Sequence, residues 1–173
     1  MYCVLCIYKL CSFRYDVVFV TQPNVPSSVI PKLEDFAKAG GTLVLSAGAA
    51  QLNEYNQSDG TLSAVTGSAM SAFPRRVLHE VRQLSGPSPL PFAAEGFFTG
   101  GEGFAAYGGV SAFTTVSPAS KTLCTFADKQ SAAAVETAVG SGRIVQLAWQ
   151  PGLSYRKHAS EPHHTAIPRG IRE

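Results

Sequence analysis

The sequence predicts an α/β domain, and three features carry that reading. Two short, almost wholly apolar runs, residues 16–20 and 42–46, have the pattern of strands covered on both faces. An amphipathic helix fits between them. Near the carboxyl end, Gly140-Ser141-Gly142 separates two further apolar-rich runs, residues 132–139 and 143–149, as a hairpin requires.

The first unit is the most legible. Asp16-Val17-Val18-Phe19-Val20 ends at the loop Thr21-Gln22-Pro23-Asn24. Ser27 or Ser28 is placed to cap a helix, its hydroxyl accepting from a free amide of the first turn. Pro31 falls inside that turn, where a missing N–H costs nothing. Val29, Ile30, Leu33, Phe36 and Ala37 recur at helical spacing on one face, and Lys32, Glu34, Asp35 and Lys38 take the other. Gly40 follows as the C′ residue, and Thr42-Leu43-Val44-Leu45-Ser46 forms the second strand. Strand, helix and strand at this spacing make a βαβ unit with parallel strands. Both strand ends, residues 21–24 and 47–50, then open on the carboxyl edge of the sheet, where α/β domains bind ligands.

Further along, Leu62, Val65 and Met70 suggest a short helix interrupted by Gly67. Residues 74–84 read as a helix with Val77, Leu78, Val81 and Leu84 on one face, stopped by Gly86. Residues 87–109 are rich in Pro, Gly and Phe and read as a long loop or irregular strands. Residues 123–126 form a strand before the terminal hairpin. The expected organisation is a Cys-rich apolar leader (1–14), an α/β domain (15–156) and a polar tail (157–173).

Composition excludes several functions. The 173 residues are 45% hydrophobic and only 15% charged, so wholesale disorder is excluded. A net charge of +2, with no basic run longer than Arg75-Arg76, argues against a nucleic-acid partner. No apolar run approaches the roughly 18 residues that a spanning helix needs, so no membrane partner is expected. The first ten residues lack the charge pattern of a secretion signal.

Candidate chemistry is sparse. Cys3, Cys6 and Cys11 invite a zinc reading, but strand-forming Val4, Leu5, Ile7, Tyr8 and Leu10 fill the gaps, which favours plain apolar thiols. His158, Glu161, His163 and His164 share the tail without the helical spacing of a metalloprotease. No metal or cofactor is expected. Gly101-Glu102-Gly103-Phe104-Ala105-Ala106 matches a dinucleotide loop only loosely, with no strand before it. No G-x-S-x-G elbow occurs with Ser or Cys; Ser46 ends a strand, but Val44 stands where a glycine is needed. Cys124, between Leu123 and Thr125, reads as core. No catalytic residue is assigned. The best-placed polar groups are Asn24, Ser46, Glu54 and Tyr55, all at or just beyond the carboxyl edge. For Glu54, a structural role in bonding loop amides is favoured over catalysis.

Residues 15–21, 29–33 and 39–46 together resemble the class I glutamine-amidotransferase-like fold. More narrowly they resemble the β-galactosidase trimerisation domain and its relatives in large carbohydrate-associated proteins. The closing segment agrees through Phe126-Ala127-Asp128, Ala133-Ala134-Val135, Gly140-Ser141-Gly142-Arg143-Ile144-Val145 and Pro151-Gly152-Leu153-Ser154-Tyr155. The resemblance covers residues 15–156. It implies a flavodoxin-like three-layer domain with parallel central strands and a C-terminal antiparallel hairpin. That fold is expected to be shortened at its amino end, its first βα unit missing or replaced by the Cys-rich residues 1–13. Lys129 also departs from the turn glycine usual after Asp128. The function implied is a non-catalytic accessory or assembly module whose partners are other domains or subunits of a larger protein. The alternative is a ligand-binding or hydrolytic domain, with carbohydrate as a candidate ligand, using Asn24, Ser46, Glu54 and Tyr55.

Overall fold

A computed structural model of the chain describes residues 15–71, 81–85, 105–107, 111–126 and 131–152. The elements, in order, are β1 (Val17–Val20), α1 (Ile30–Lys38), β2 (Thr42–Leu45), α2 (Thr61–Thr66), β3 (Ala69–Met70), β4 (Val81–Ser85), β5 (Ala105–Tyr107), β6 (Phe113–Thr115), β7 (Lys121–Phe126), β8 (Ala132–Val139) and β9 (Gly142–Leu147). Seven strands form one mixed sheet in the order β1-β2-β9-β8-β7-β4-β5, and β3 pairs with β6 separately.

The βαβ reading holds. β1 and β2 run parallel with Val17 opposite Thr42 and Val20 opposite Leu45, and β9 continues the parallel set from Thr42↔Arg143 to Leu45↔Gln146. From β9 outward every pairing is antiparallel. The parallel strands therefore lie at one side of the sheet, and β8 is the central strand.

Strand periodicity divides the core between the two faces. Leu43, Leu45 and Ile144 pack with Val20, Ile30, Leu33, Ala37 and Leu62, so both helices cover one face. Val44, Val145 and Leu147 pack on the other with Cys124, Phe126, Ala133 and Trp149, against Met70 of β3 and Phe113 of β6. Among the described residues, that second layer is built by the small β3–β6 sheet rather than by a helix.

Helix α1 starts later than its serines suggest. Pro31 sits in the first turn as expected, but the N-cap residue is Val29, with no side-chain cap. Ser27 is occupied elsewhere: its N–H and hydroxyl turn toward carboxylates of a later loop. At the other end Ala39 is the C-cap and Gly40 follows with φ +113°. Helix α2 stops at Gly67, whose φ of +64° lies in the left-handed region. Met70, expected to extend that helix, is in β3 instead.

The main correction concerns residues 81–84, expected as the end of a helix. They lie in β4, which pairs with β7 (Leu84↔Phe126, Ser85↔Thr125) and with β5. A short apolar run satisfies helical and extended templates alike, and here strand partners on both sides decide the outcome. The rest of that expected helix, and Cys3, Cys6, Cys11, Glu102, Lys129 and the 157–173 tail, lie outside the described residues. β3, β5 and β6 are short strands that the sequence pattern did not single out.

The hairpin is tighter than the expected three-residue loop. Val139 faces Gly142, so Gly140 and Ser141 alone make the turn. Gly140 has φ +60°, while Ser141 does not share the positive φ, the pattern of a turn that favours Gly at its first central position. This turn abuts the end of α1: Ser141 N–H donates to Lys38 O (3.0 Å) and Arg143 N–H to Gly41 O (3.1 Å). The first of these bonds satisfies a carbonyl that the helix terminus leaves open.

Candidate functional site

Parallel pairing brings the carboxyl ends of β1, β2 and β9 to one edge, and main-chain bonds stitch the loops there together. Ser46 N–H donates to Val20 O (3.1 Å), Ala47 N–H to Trp149 O (3.1 Å) and Ala50 N–H to Gln22 O (2.9 Å). Gln150 Nε2 donates to Ala47 O at 2.7 Å, tying the ends of β2 and β9. Beyond β2 the chain returns to β1 through Val25 N–H to Leu52 O and Leu52 N–H to Pro23 O, both 2.9 Å.

The loop Asn53-Glu54-Tyr55-Asn56-Gln57 is held from within and from below. Asn53 Oδ1 accepts from Tyr55 N–H (2.9 Å) and Gln57 N–H (3.0 Å), the Asx-turn geometry that suits asparagine to such loops. Asn53 N–H donates to Gln57 O (2.8 Å). From below, half-buried Asn24 donates through Nδ2 to Asn53 O (3.0 Å) and Asn56 Oδ1 (2.9 Å). Asn56 has φ +61°, which asparagine tolerates better than most residues.

Glu54 Oε2 accepts from Ser27 N–H at 2.9 Å. That bond favours the ionised form and holds its carboxyl below the usual value of 4.5. Asp59 Oδ1 accepts from Thr61 N–H (2.9 Å) at the start of α2, and Oδ2 lies 3.5 Å from Ser27 Oγ. The bond with Thr61 likewise lowers the Asp59 pKa. Two carboxylates thus converge on Ser27 and fix the turn into α1 against the turn into α2.

Asn24, Glu54 and Tyr55 consequently share one cluster, with Tyr55 projecting at 74% exposure. Ser46 does not join it. It is buried, and its Oγ has no hydrogen-bond partner among the described residues, so no base reaches it there. Cys124 is buried against the opposite face of the sheet from the helices, and burial pushes its thiol up to about 11. Among the described residues no group of three His, Cys, Asp or Glu is placed to hold a metal ion, and no helix is long and apolar enough to cross a membrane. An open cleft of about 510 Å³ between residues 112–116 and Thr122, Ser131 and Ala132 shares no residue with the cluster.

The sequence reading missed Ser27, Asn53, Asn56, Gln57 and Asp59 as members of this cluster. Their signal was present in turn-forming composition: Asn, Asp, Ser and Gly are dense between Asn53 and Gly60. Which loop residue would reach Ser27, 27 positions away, was not written in any local pattern.

No protein-family model and no curated protein matches this sequence. Solved structures do resemble it. A β-galactosidase from Bacillus circulans sp. alkalophilus superposes with a TM-score of 0.63 at 14% identity, covering 84% of this chain and 22% of the enzyme. The cold-adapted β-galactosidase from Rahnella sp. R3 gives 0.60 at 17% identity, covering 86% of this chain and 23% of its own. The cytoplasmic protein STM1381 from Salmonella typhimurium LT2 gives 0.55 at 14% identity, with 83% and 67% covered. The chain thus spans about a fifth of the length of the β-galactosidases it matches. At these identities the likeness is one of fold: the chain has a mixed α/β fold that recurs as one part of larger β-galactosidase chains.

Proposed function

We propose that this chain is a non-catalytic accessory domain of a carbohydrate-processing protein, akin to a β-galactosidase trimerisation domain, acting through contacts with other domains or subunits. The observation that carries the reading is the coverage: most of this chain superposes on a small part of a β-galactosidase. The polar cluster agrees with it, because Asn24 and Glu54 are engaged in holding loops together. The test is hydrolysis of aryl galactosides and of glutamine by the purified chain at high concentration. The expected result is no turnover above a heat-denatured control. Turnover abolished by a single point substitution would overturn the proposal.

A second reading rests on Tyr55. An exposed aromatic ring on a loop held by so many hydrogen bonds is ordered before any partner arrives, which lowers the entropy cost of binding. In this reading the carboxyl edge, with Asn24, Glu54 and Tyr55 and without the buried Ser46, takes a neutral sugar. Titration calorimetry with galactose and galactobiose, on the parent and on Tyr55→Ala, decides it. Heat released by the parent and lost in the variant, at unchanged melting temperature, favours the sugar site. No heat from the parent at millimolar sugar refutes it.

A further inference from the structure

We draw no further inference here: the strongest candidate, the outer edge of β1 with the exposed Tyr15 and Phe19 side chains beside it, carries nothing because nothing in the structure shows what covers it.

Discussion

Substituting Gly142 by alanine tests the joint between the terminal hairpin and α1. Gly142 does not have a positive φ, so its requirement is one of space. A Cβ there would collide with Ala37 O and Gly41 O and approach Gly40 C to 2.7 Å. All three are backbone atoms, which cannot swing aside as a side chain can. The hairpin must therefore move off the helix end, straining the bonds Ser141 N–H to Lys38 O and Arg143 N–H to Gly41 O. Overpacking of this kind costs about 1–3 kcal/mol. Each lost hydrogen bond adds about 1 kcal/mol, so the expected destabilisation is roughly 3–5 kcal/mol. For a chain of this size each kcal/mol lowers the melting temperature by about 2–4 °C, giving a drop of roughly 6–20 °C. Circular dichroism melts and urea titrations of Gly142→Ala measure it. Gly60→Ala is the control, because a Cβ at Gly60 meets nothing within 4 Å; its cost is that of a changed helix cap, about 1 kcal/mol or less. A Gly142→Ala protein that melts within about 2 °C of the parent would refute the claim that this contact needs glycine.

Three further outcomes follow from the same structure. Glu54 has a folded pKa below its ordinary 4.5, so its contribution to stability is present above that value and is lost as pH falls through the lower, folded one. Urea midpoints measured from pH 6 to pH 3 should therefore fall more steeply for the parent than for Glu54→Gln; parallel curves would remove the Ser27 bond from the account. With Cys3, Cys6 and Cys11 replaced by serine, Cys124 should resist thiol reagents in the native protein and react only as fast as the chain opens, since it is buried and its thiolate is disfavoured up to about pH 11. Rapid labelling of the folded chain at pH 8 would count against its place in the core. Leu33 is fully buried where α1 meets the sheet, so Leu33→Ala should cost about 2–5 kcal/mol in a chemical-denaturation experiment. A loss under about 1 kcal/mol would mean that α1 is not anchored there.

Legibility in the sequence follows the range of the interactions. The β1–α1–β2 unit could be read because its signals are local: an apolar pentapeptide, an amphipathic stretch with Pro31 in its first turn, and Gly40 just past its end. The hairpin was legible for the same reason, through Gly140 and its neighbours. β4 was misread because Val81 and Leu84 suit a helix as well as a strand, and only pairing with Phe126 and Thr125, some 40 residues away in sequence, selects the strand. The placing of β9 beside β2, far from it along the chain, has no local signature at all. At the candidate site, the carboxyl edge follows from parallel pairing, and the loops that carry Asn24, Glu54 and Tyr55 leave from it. Ser46 lies at the end of β2, and the packing of β2 between two layers buries it at 2% exposure, which no local pattern announces.

The hydrogen bonds at the carboxyl edge also bear on what a ligand would have to do there. Asn24 Nδ2 has both hydrogens committed, one to Asn53 O and one to Asn56 Oδ1, and Glu54 holds Ser27 N–H. A ligand that recruited these atoms would first have to release them, at about 0.5–1.5 kcal/mol for each bond given up. Releasing Asn24 would also remove the side-chain bond to Asn56 and loosen the loop that carries Tyr55. Strong binding through Asn24 and Glu54 would therefore undo the platform that makes Tyr55 useful, whereas stacking on Tyr55 leaves every one of these bonds intact. The geometry favours contact through the ring and the loop's outer surface over capture of a polar ligand in the edge itself. Contact of that kind serves the face of a sugar ring and the surface of a partner protein alike.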